Sequence, residues 1–158
     1  MKKAKLKKRK INYNIEIKIG KWGTEIPYSN ALYWNLVEAE LSKVEDPRRI
    51  IIQCFEGFTL KFINKVKNRN FRLSYLSFEK DVNVALNRLD FVPDIYSPYF
   101  QSIDSVGVNR CHSKNVSVIP FVIDDEKIFS LYKNRYRVDG IITDYPKKMI
   151  EKIKAGAL

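Results

Sequence analysis

Short apolar runs rich in β-branched residues alternate with stretches of helical periodicity along this 158-residue chain. The clearest run is Ile50–Phe55 (IIIQCF), which suits a strand buried on both sides, as in a parallel sheet. A second run covers Val116–Val122, where Pro120 predicts a bulge or a strand end. Strands separated by helices of about ten residues form βα units. The sequence therefore predicts an α/β fold of about five βα units with a parallel sheet.

The remaining elements follow from the same two periodicities. Further strands are predicted at Ile11–Lys18, Phe71–Leu76, Asp94–Tyr96 and Val138–Thr143. Two helices are predicted with their caps: Leu32–Val44, capped by Ser29 or Asn30, and a helix that Thr59 caps and that ends at Val66. Four further helices are predicted at Val82–Leu89, Ile103–Ser113, Glu126–Tyr136 and Lys147–Lys154.

The first predicted strand carries the most specific pair of candidate functional residues, an acid and a base. Its apolar residues fall on one face and its polar residues on the other, so Glu16 and Lys18 point to the same side. A carboxylate suits a hard cation and a lysine suits a phosphate. An ion pair on a half-exposed strand is the alternative interpretation of the same spacing.

The net charge of +11 is concentrated at the start of the chain, where seven of the first ten residues are Lys or Arg. The other 148 residues hold 22 basic and 18 acidic side chains, which leaves only +4. No basic groove interleaved with aromatic residues accompanies the run, so no nucleic-acid partner is predicted. No apolar stretch approaches ~18 residues, so no transmembrane segment is expected, and no secretory signal is visible. Cys54 and Cys111 form neither a zinc motif nor a disulfide framework, which predicts a reducing, cytoplasmic location.

Functional side chains of βα proteins gather at the carboxyl ends of the strands. Besides Glu16 and Lys18, the candidates there are Gln53, Phe121, Asp124, Thr143 and Asp144. Asp144 fits a catalytic acid and a strand-to-helix turn equally well. The single histidine, His112, has no acidic partner in its motif, and Cys54 is most simply a small apolar filler.

Five segments in this order resemble the glycerophosphodiester phosphodiesterase family: NIEIK at 14–18, IIIQCF at 50–55, PDIYSPYF at 93–100, VIPFVID at 118–124 and VDGIITDYP at 138–146. The resemblance runs from about residue 5 to residue 152. It implies a (β/α)₈ barrel in which NIEIK is the fourth strand and GIIT belongs to the eighth. Residues 11–158 are then the C-terminal part of a TIM-type barrel whose N-terminal strands are missing. Residues 1–10 become the end of a helix or a tail.

The resemblance also implies a function. The family hydrolyses glycerophosphodiesters to an alcohol and glycerol 3-phosphate with a calcium or magnesium ion. The resemblance maps Glu16 onto a metal ligand of the family, Lys18 onto a lysine near the phosphate, and Phe121 onto a pocket position usually held by tryptophan. Cys54 falls where the family usually has serine.

The resemblance assigns no catalytic residue to this chain. The two histidines that serve the family as acid and base belong to its first three strands, and His112 matches neither. The expectation is a truncated phosphodiesterase that is inactive alone. The alternatives are one half of a two-chain enzyme, with a partner chain supplying the missing strands, and a non-catalytic binding module.

Overall fold

A computed structural model describes residues 12–18, 30–66, 70–154 and 156. Five strands form one sheet: β1 Tyr13–Glu16, β2 Ile50–Cys54, β3 Arg72–Ser77, β4 Ile95–Pro98 and β5 Ser117–Val118. All neighbours are parallel and the order is β1-β2-β3-β4-β5. A doubly wound sheet reverses its strand order, whereas a barrel wall does not. The sheet therefore has the topology of part of a barrel, and the predicted α/β fold with parallel strands is confirmed.

Helices connect the strands. They are α1 Asn30–Leu41, α2 Gly57–Val66, α3 Val82–Leu86, α4 Ser105–His112, α5 Glu126–Ser130 and α6 Pro146–Lys154. Short 3₁₀ helices lie at Pro47–Arg49 and Phe100–Ser102, and α5 continues as a π-helix over Leu131–Tyr136. Three helices begin at aspartates because each carboxylate accepts backbone N–H groups of the first turn: Asp81 for α3, Asp104 for α4 and Asp125 for α5.

The hydrophobic core lies between the helices and one face of the sheet, which we call the outer face. Ile52, Leu73 and Tyr96 project from the strands into this core, and none of their surface is exposed. Leu60 of α2 and Val108 of α4 are also completely buried. Each fully buried aliphatic side chain contributes about 1.5–3 kcal/mol to folding, so this layer fixes the sheet against its helices.

Two carboxylates each accept a backbone N–H from the preceding βα unit. Asp94, just before β4, accepts the backbone N–H of Leu73 in β3 at 2.8 Å. Asp139 accepts the N–H of Val118 in β5 at 2.7 Å in the same way. Both pairs are separated by 21 residues, one βα unit apart. These bonds satisfy backbone donors that the ladder leaves open at the amino-terminal edge of the sheet.

The strand predicted at Val138–Thr143 is absent, and these residues form an extended stretch that we call the edge segment. It lies beside the end of β5, because Asp139 N–H donates to Val118 O at 2.9 Å. Ile142 donates to Pro120 O and accepts from Ile123 N–H, so its two partners are three residues apart. A regular parallel ladder needs partners two residues apart. The mismatch explains why the apolar pattern does not become a strand here.

Several predicted boundaries shift. The helix placed from a Thr59 cap begins at Gly57, and Thr59 lies buried inside it. The helix placed at Ile103 begins at Ser105. Strand β5 ends before Pro120, so the predicted strand end there is confirmed.

Part of the prediction falls on residues that the structure does not describe. These are the basic residues 1–10, Ile11 at the start of the first predicted strand, and the cap Ser29. In the part of the chain that is described, no helix has the length and apolar character needed to cross a bilayer.

We predict that Asp94→Ala destabilises the fold by about 1–2 kcal/mol, because the buried Leu73 N–H loses its only side-chain acceptor. For a chain of this size that lowers the melting temperature by roughly 2–8 °C. Circular dichroism melting measures the shift. Asp90→Ala is the control, because Asp90 makes only an exposed ion pair with Lys65 and its loss changes stability by less than ~0.5 kcal/mol. Equal melting temperatures for the wild type and Asp94→Ala would contradict the role of Asp94.

Candidate functional site

The face of the sheet that points away from the helices, called the inner face, carries polar side chains beside the apolar Ile51, Leu76 and Ile95. The ladder pairs Glu16 with Gln53 and Gln53 with Ser74. Paired residues of parallel strands project to the same side, and so do residues two positions apart on one strand. The inner face therefore also presents Asn14 and Ser97. This is the side on which a barrel of this strand order builds its interior.

Glu16 and Lys18 lie together at the carboxyl end of β1. Lys18 Nζ is 3.6 Å from a Glu16 carboxylate oxygen, and the side chains are 73% and 27% exposed respectively. An ion pair this accessible contributes at most ~1 kcal/mol. The structure thus brings the predicted residues Glu16 and Lys18 into contact, and the Lys18 side chain remains largely exposed to water. The pair is held too weakly to keep either group from a ligand.

Gln53 anchors the inner face beside this pair. Its side-chain carbonyl accepts a hydrogen bond from the Asn14 amide at 3.0 Å, and its backbone carbonyl accepts from Ile17 N–H at 2.8 Å. Gln53 is only 8% exposed. Further along the face the hydroxyls of Ser74 and Ser97 lie 2.9 Å apart. These bonds position the backbone of β1 and the polar groups next to Glu16.

Four rings form an aromatic cluster at the carboxyl ends of the strands: Phe55, Phe78, Tyr99 and Phe121. Phe55 stacks on Phe78 at 5.4 Å between ring centroids, and Phe121 stands edge-on to both at 5.5 Å. Tyr99 completes the cluster at 5.6 Å from Phe78 and 6.1 Å from Phe121. Phe78 is still 63% exposed. The cluster is an accessible apolar surface at the edge where ligands of parallel sheets bind.

Sequence reasoning identified only Phe121 of this cluster. A usable signal was present, because Phe55 lies two residues after Gln53, and Phe78 four residues after Ser74. Alternation on each strand therefore placed both rings on the inner face.

The candidates Asp124, Thr143 and Asp144 form a turn. One carboxylate oxygen of Asp124 accepts hydrogen bonds from the Thr143 hydroxyl at 2.8 Å and from Asp144 N–H at 2.9 Å. The Thr143 hydroxyl in turn accepts from Tyr145 N–H at 3.1 Å. The bonds account for the strand-to-helix turn ahead of α6. They give the Asp144 carboxylate no hydrogen-bonded partner among the described residues.

His112 lies at the opposite end of the sheet. It is the last residue of α4, which leads back to the start of β5. Its Nε2 is 2.9 Å from the Asp139 carboxylate that also holds Val118 N–H. His112 therefore has an acidic partner in the structure, Asp139, and lies away from Glu16 and the inner face.

The two cysteines are free and buried against the helices, on the outer-face side of the sheet. The Cys54 thiol donates to a Glu56 carboxylate oxygen at 3.0 Å. Burial raises the pKa of Cys54 well above its usual range, and burial raises the pKa of Cys111 to about 11. Neither thiol is a nucleophile near neutral pH, since the reactive form is the thiolate.

The inner face does not hold a complete metal site by itself. Nowhere in residues 12–18, 30–66 and 70–154 do three or more His, Cys, Asp or Glu side chains group so as to bind an ion. Glu16 is a single carboxylate, and its nearest charged partner is Lys18. Calcium takes six to eight oxygen ligands. The described donors therefore do not fit calcium or magnesium without further ligands.

Comparisons of the sequence and of the structure with known proteins point to the same family. A model described as the glycerophosphoryl diester phosphodiesterase family matches residues 3–148. Three similar solved structures are glycerophosphodiester phosphodiesterases from Parabacteroides distasonis (20% identity, TM-score 0.72) and Thermotoga maritima (18%, 0.63), and a phosphodiesterase from Oleispira antarctica solved with its product sn-glycerol-3-phosphate (18%, 0.63). At these identities the structural likeness shows the fold: the chain matches part of the TIM barrel of these proteins.

The chain spans between about half and three-fifths of the length of these proteins. The matches cover 95%, 89% and 79% of this chain but 60%, 57% and 49% of the Parabacteroides, Thermotoga and Oleispira chains. No curated protein sequence matches the chain significantly.

We predict that neither cysteine reacts with a disulfide-exchange reagent such as DTNB in the folded chain at pH 8, because the pKa of each thiol is raised by burial. In guanidinium chloride both should react within minutes, since an unfolded thiol has a pKa of ~8.5. Absorbance at 412 nm counts the thiols, and Cys54→Ala and Cys111→Ala identify them. Rapid modification of Cys54 in the folded protein would refute the buried position.

Proposed function

Because the chain belongs to the glycerophosphoryl diester phosphodiesterase family, we propose that it forms the substrate-facing C-terminal part of an enzyme that hydrolyses glycerophosphodiesters. The products are an alcohol and glycerol 3-phosphate. The observation that carries this proposal is the pairing of Glu16 with Lys18 on the inner face, at the carboxyl end of β1. The product found with the Oleispira phosphodiesterase supports the same substrate class.

Lys18 is proposed to bind the phosphate of the substrate. Its ammonium group is 73% exposed and is held only by the 3.6 Å contact with Glu16. A phosphodiester carries one negative charge, which its oxygen atoms share. The flexible side chain of a lysine can place its ammonium group beside whichever of these oxygens carries the charge. Lys18 can exchange its contact with Glu16 for one with a phosphate at little cost in free energy, because the existing ion pair is weak.

Glu16 is proposed to be one ligand of a divalent cation, calcium or magnesium, in an assembled site. Hard cations prefer carboxylate oxygens, and the Glu16 carboxylate is partly accessible on the inner face. The other ligands must come from residues outside those described, since the described part of the chain contains no cluster of three ligands. Once bound, such a cation polarises the phosphoryl oxygens of a diester.

Phe121 is proposed to line the substrate pocket together with the rest of the aromatic cluster. Its ring stands edge-on to Phe55 and Phe78, which fixes it at the rim of the inner face. A Phe ring offers apolar contact without the indole N–H of the tryptophan that the family usually has there. The ring then packs against carbon atoms of the substrate and donates no hydrogen bond.

We propose that the 158-residue chain is inactive alone. General acid–base catalysis typically contributes ~10²–10⁴-fold to such a hydrolysis. The single histidine of the chain, His112, lies at the opposite end of the sheet beside Asp139. The proton-transfer groups are therefore proposed to lie outside the described residues. One half of a two-chain enzyme, with a partner chain that supplies these groups, is the alternative. A non-catalytic binding module acting through basic residues 1–10 takes second place, because no basic groove interleaved with aromatic residues accompanies them in the sequence.

We also propose a cytoplasmic location. Support comes from the sequence, whose two cysteines provide no disulfide framework of the kind that small secreted domains use.

The first test uses the purified chain by itself. We expect no release of glycerol 3-phosphate from glycerophosphocholine with calcium or magnesium present, measured by a coupled glycerol-3-phosphate dehydrogenase assay. We also expect no calcium binding at micromolar concentrations in calorimetry, since one carboxylate does not make a site. Turnover near ~10 s⁻¹, the typical value for enzymes, would refute the proposed inactivity.

The second test restores the missing residues. Addition of a polypeptide carrying the family's first three strands and its histidines should give metal-dependent release of glycerol 3-phosphate. In that mixture Lys18→Met should lower kcat by about 10²–10³-fold, as for other removed charge-stabilising groups. Glu16→Gln should raise the cation concentration needed for half-maximal rate.

Matched controls come from the exposed ion pair between Glu40 of α1 and Lys43, which lies two residues after the end of that helix. Lys43→Met and Glu40→Gln change the same chemical groups far from the inner face, and both should leave the rate unchanged. Equal rates for Lys18→Met and Lys43→Met in an active mixture would remove Lys18 from the site.

A further inference from the structure

A pocket lies at the carboxyl ends of β2 and β3, next to the aromatic cluster. Its volume is about 410 Å³, which is within the usual size of small-molecule sites. Phe55 and Phe78 form its apolar wall, and Glu79, Lys80 and Arg88 line it with charged groups. We call it the rim pocket. An aromatic wall with a few polar groups facing the same space is typical of a site for a small polar ligand.

The exposed ring of Phe78 is held in place by hydrogen bonds to the backbone around it. The Ser102 hydroxyl donates to the Phe78 carbonyl oxygen at 3.0 Å, and the Tyr96 hydroxyl donates to the Glu79 carbonyl oxygen at 3.3 Å. Phe78 also stacks on Phe55, yet 63% of its surface remains exposed. The ring is therefore a preorganised apolar platform, and a ligand that packs on it loses little free energy to ordering the protein.

The charged groups of the rim pocket carry a net positive charge. Both oxygens of the Glu79 carboxylate already accept hydrogen bonds, one from the Arg88 guanidinium at 2.8 Å and the other from the Lys80 backbone N–H at 3.0 Å. The Lys80 ammonium forms no ion pair within the part of the chain that the structure describes. Arg88 and Lys80 therefore keep N–H donors for a ligand, whereas the carboxylate has little capacity left.

The rim pocket lies within reach of the Glu16–Lys18 pair. Gln53 is level with Glu16 in the ladder, and Phe55 follows Gln53 by two residues, so it lies at most about 7 Å further along. Neighbouring strands are only about 4.8 Å apart. A diester whose phosphate is bound by Lys18 can therefore extend its alcohol group into the rim pocket.

We propose that the rim pocket binds the alcohol group of the diester, and that this group is a cyclic polyol, a sugar or cyclitol ring. One face of such a ring presents C–H groups, which pack on the electron-rich face of Phe78. Its hydroxyl oxygens accept charge-assisted hydrogen bonds from Arg88 and Lys80. This inference rests on the proposed function, since it concerns the leaving alcohol of the same reaction. It adds the residues that select this alcohol.

Two other ligands fit the rim pocket less well. A quaternary ammonium group such as choline packs well on aromatic rings, but here it meets two cations and a carboxylate that is already bound. A compact anion such as inorganic phosphate uses the donors of Arg88 and Lys80. It lies beside the Glu79 carboxylate, which repels it, and leaves the Phe78 platform uncovered.

The test measures the binding of free alcohols to the full 158-residue chain by NMR. The probes are myo-inositol, a cyclitol, and methyl glucoside, a sugar, and neither contains phosphate. We expect saturation transfer from the protein to the ring protons of the polyol, and a saturable shift of the Arg88 side-chain Nε–H signal. The tighter of the two probes identifies the class of ring. The dissociation constant of choline should be at least about tenfold higher.

Three variants test the residues of the rim pocket. Phe78→Leu keeps an apolar side chain but removes the ring, and should weaken polyol binding about two- to tenfold. Arg88→Met should weaken it about tenfold or more, because hydrogen bonds to a charged group are lost. Lys80→Ala should weaken it about two- to tenfold. All three side chains are exposed, so each variant tests the proposal even if another fails to fold.

The matched controls make the same changes at the opposite edge of the sheet. Tyr13→Leu removes a ring that is 40% exposed at the start of β1. Arg48→Met removes a guanidinium that pairs with Asp46 at 2.9 Å just before β2. Both controls should bind the polyols like the wild type. Circular dichroism confirms that each variant is folded before its binding is scored.

Four outcomes would overturn the proposal. They are no saturable binding of either polyol at tens of millimolar, equal binding by the wild type and every folded rim-pocket variant, tighter binding of choline than of the polyols, and displacement of the polyol from Arg88 by inorganic phosphate. None of these measurements involves hydrolysis. A chain that binds polyols but never cleaves a diester, even in the assembled mixture, would retain the rim pocket and lose the proposed phosphodiesterase function. An active mixture without polyol binding would do the reverse.

Discussion

The in-register parallel ladder is the constraint on which the rest of this structure depends. Each strand pairs with its neighbours at fixed residues, so Glu16, Gln53 and Ser74 lie level on one side of the sheet. The alternate residues, such as Ile52 and Leu73, then face the helices and are completely buried. A shift of the register by one residue would exchange the two sets. The burial of the outer face therefore also fixes the chemistry of the inner face.

The two faces differ because only one of them is covered by helices. Aliphatic and aromatic side chains fill the outer face, where the cysteine thiols are also buried and unreactive. The inner face carries Ile51, Leu76 and Ile95 but also keeps hydroxyl, amide and charged groups, and the aromatic cluster forms its rim at the carboxyl ends of the strands. A carboxylate and an ammonium group are tolerated there because water still reaches them. That accessibility makes the pair Glu16–Lys18 available to a substrate or a cation.

The same sheet explains both what the chain offers and what it lacks. Its inner face supplies one carboxylate, one lysine and an aromatic rim, and the described residues hold no cluster that would complete a metal site. Among the described strands the order runs from β1 to β5, and the edge segment lies beside the end of β5. The proposed need for further catalytic groups therefore follows from what the described part of the inner face holds.

The sequence by itself determined the alternation that places Glu16 and Lys18 on one side, the buried strand at Ile50–Cys54 and the parallel βα architecture, because these follow from local periods of two and 3.6 residues. Only the tertiary structure decided which rings join Phe121, that His112 meets Asp139 away from the candidate site, and that the residues around Ile142 run beside β5 without forming a regular strand. These outcomes depend on contacts between residues tens of positions apart. Periodicity says which way a side chain points along its own strand, but the register between strands decides what it meets.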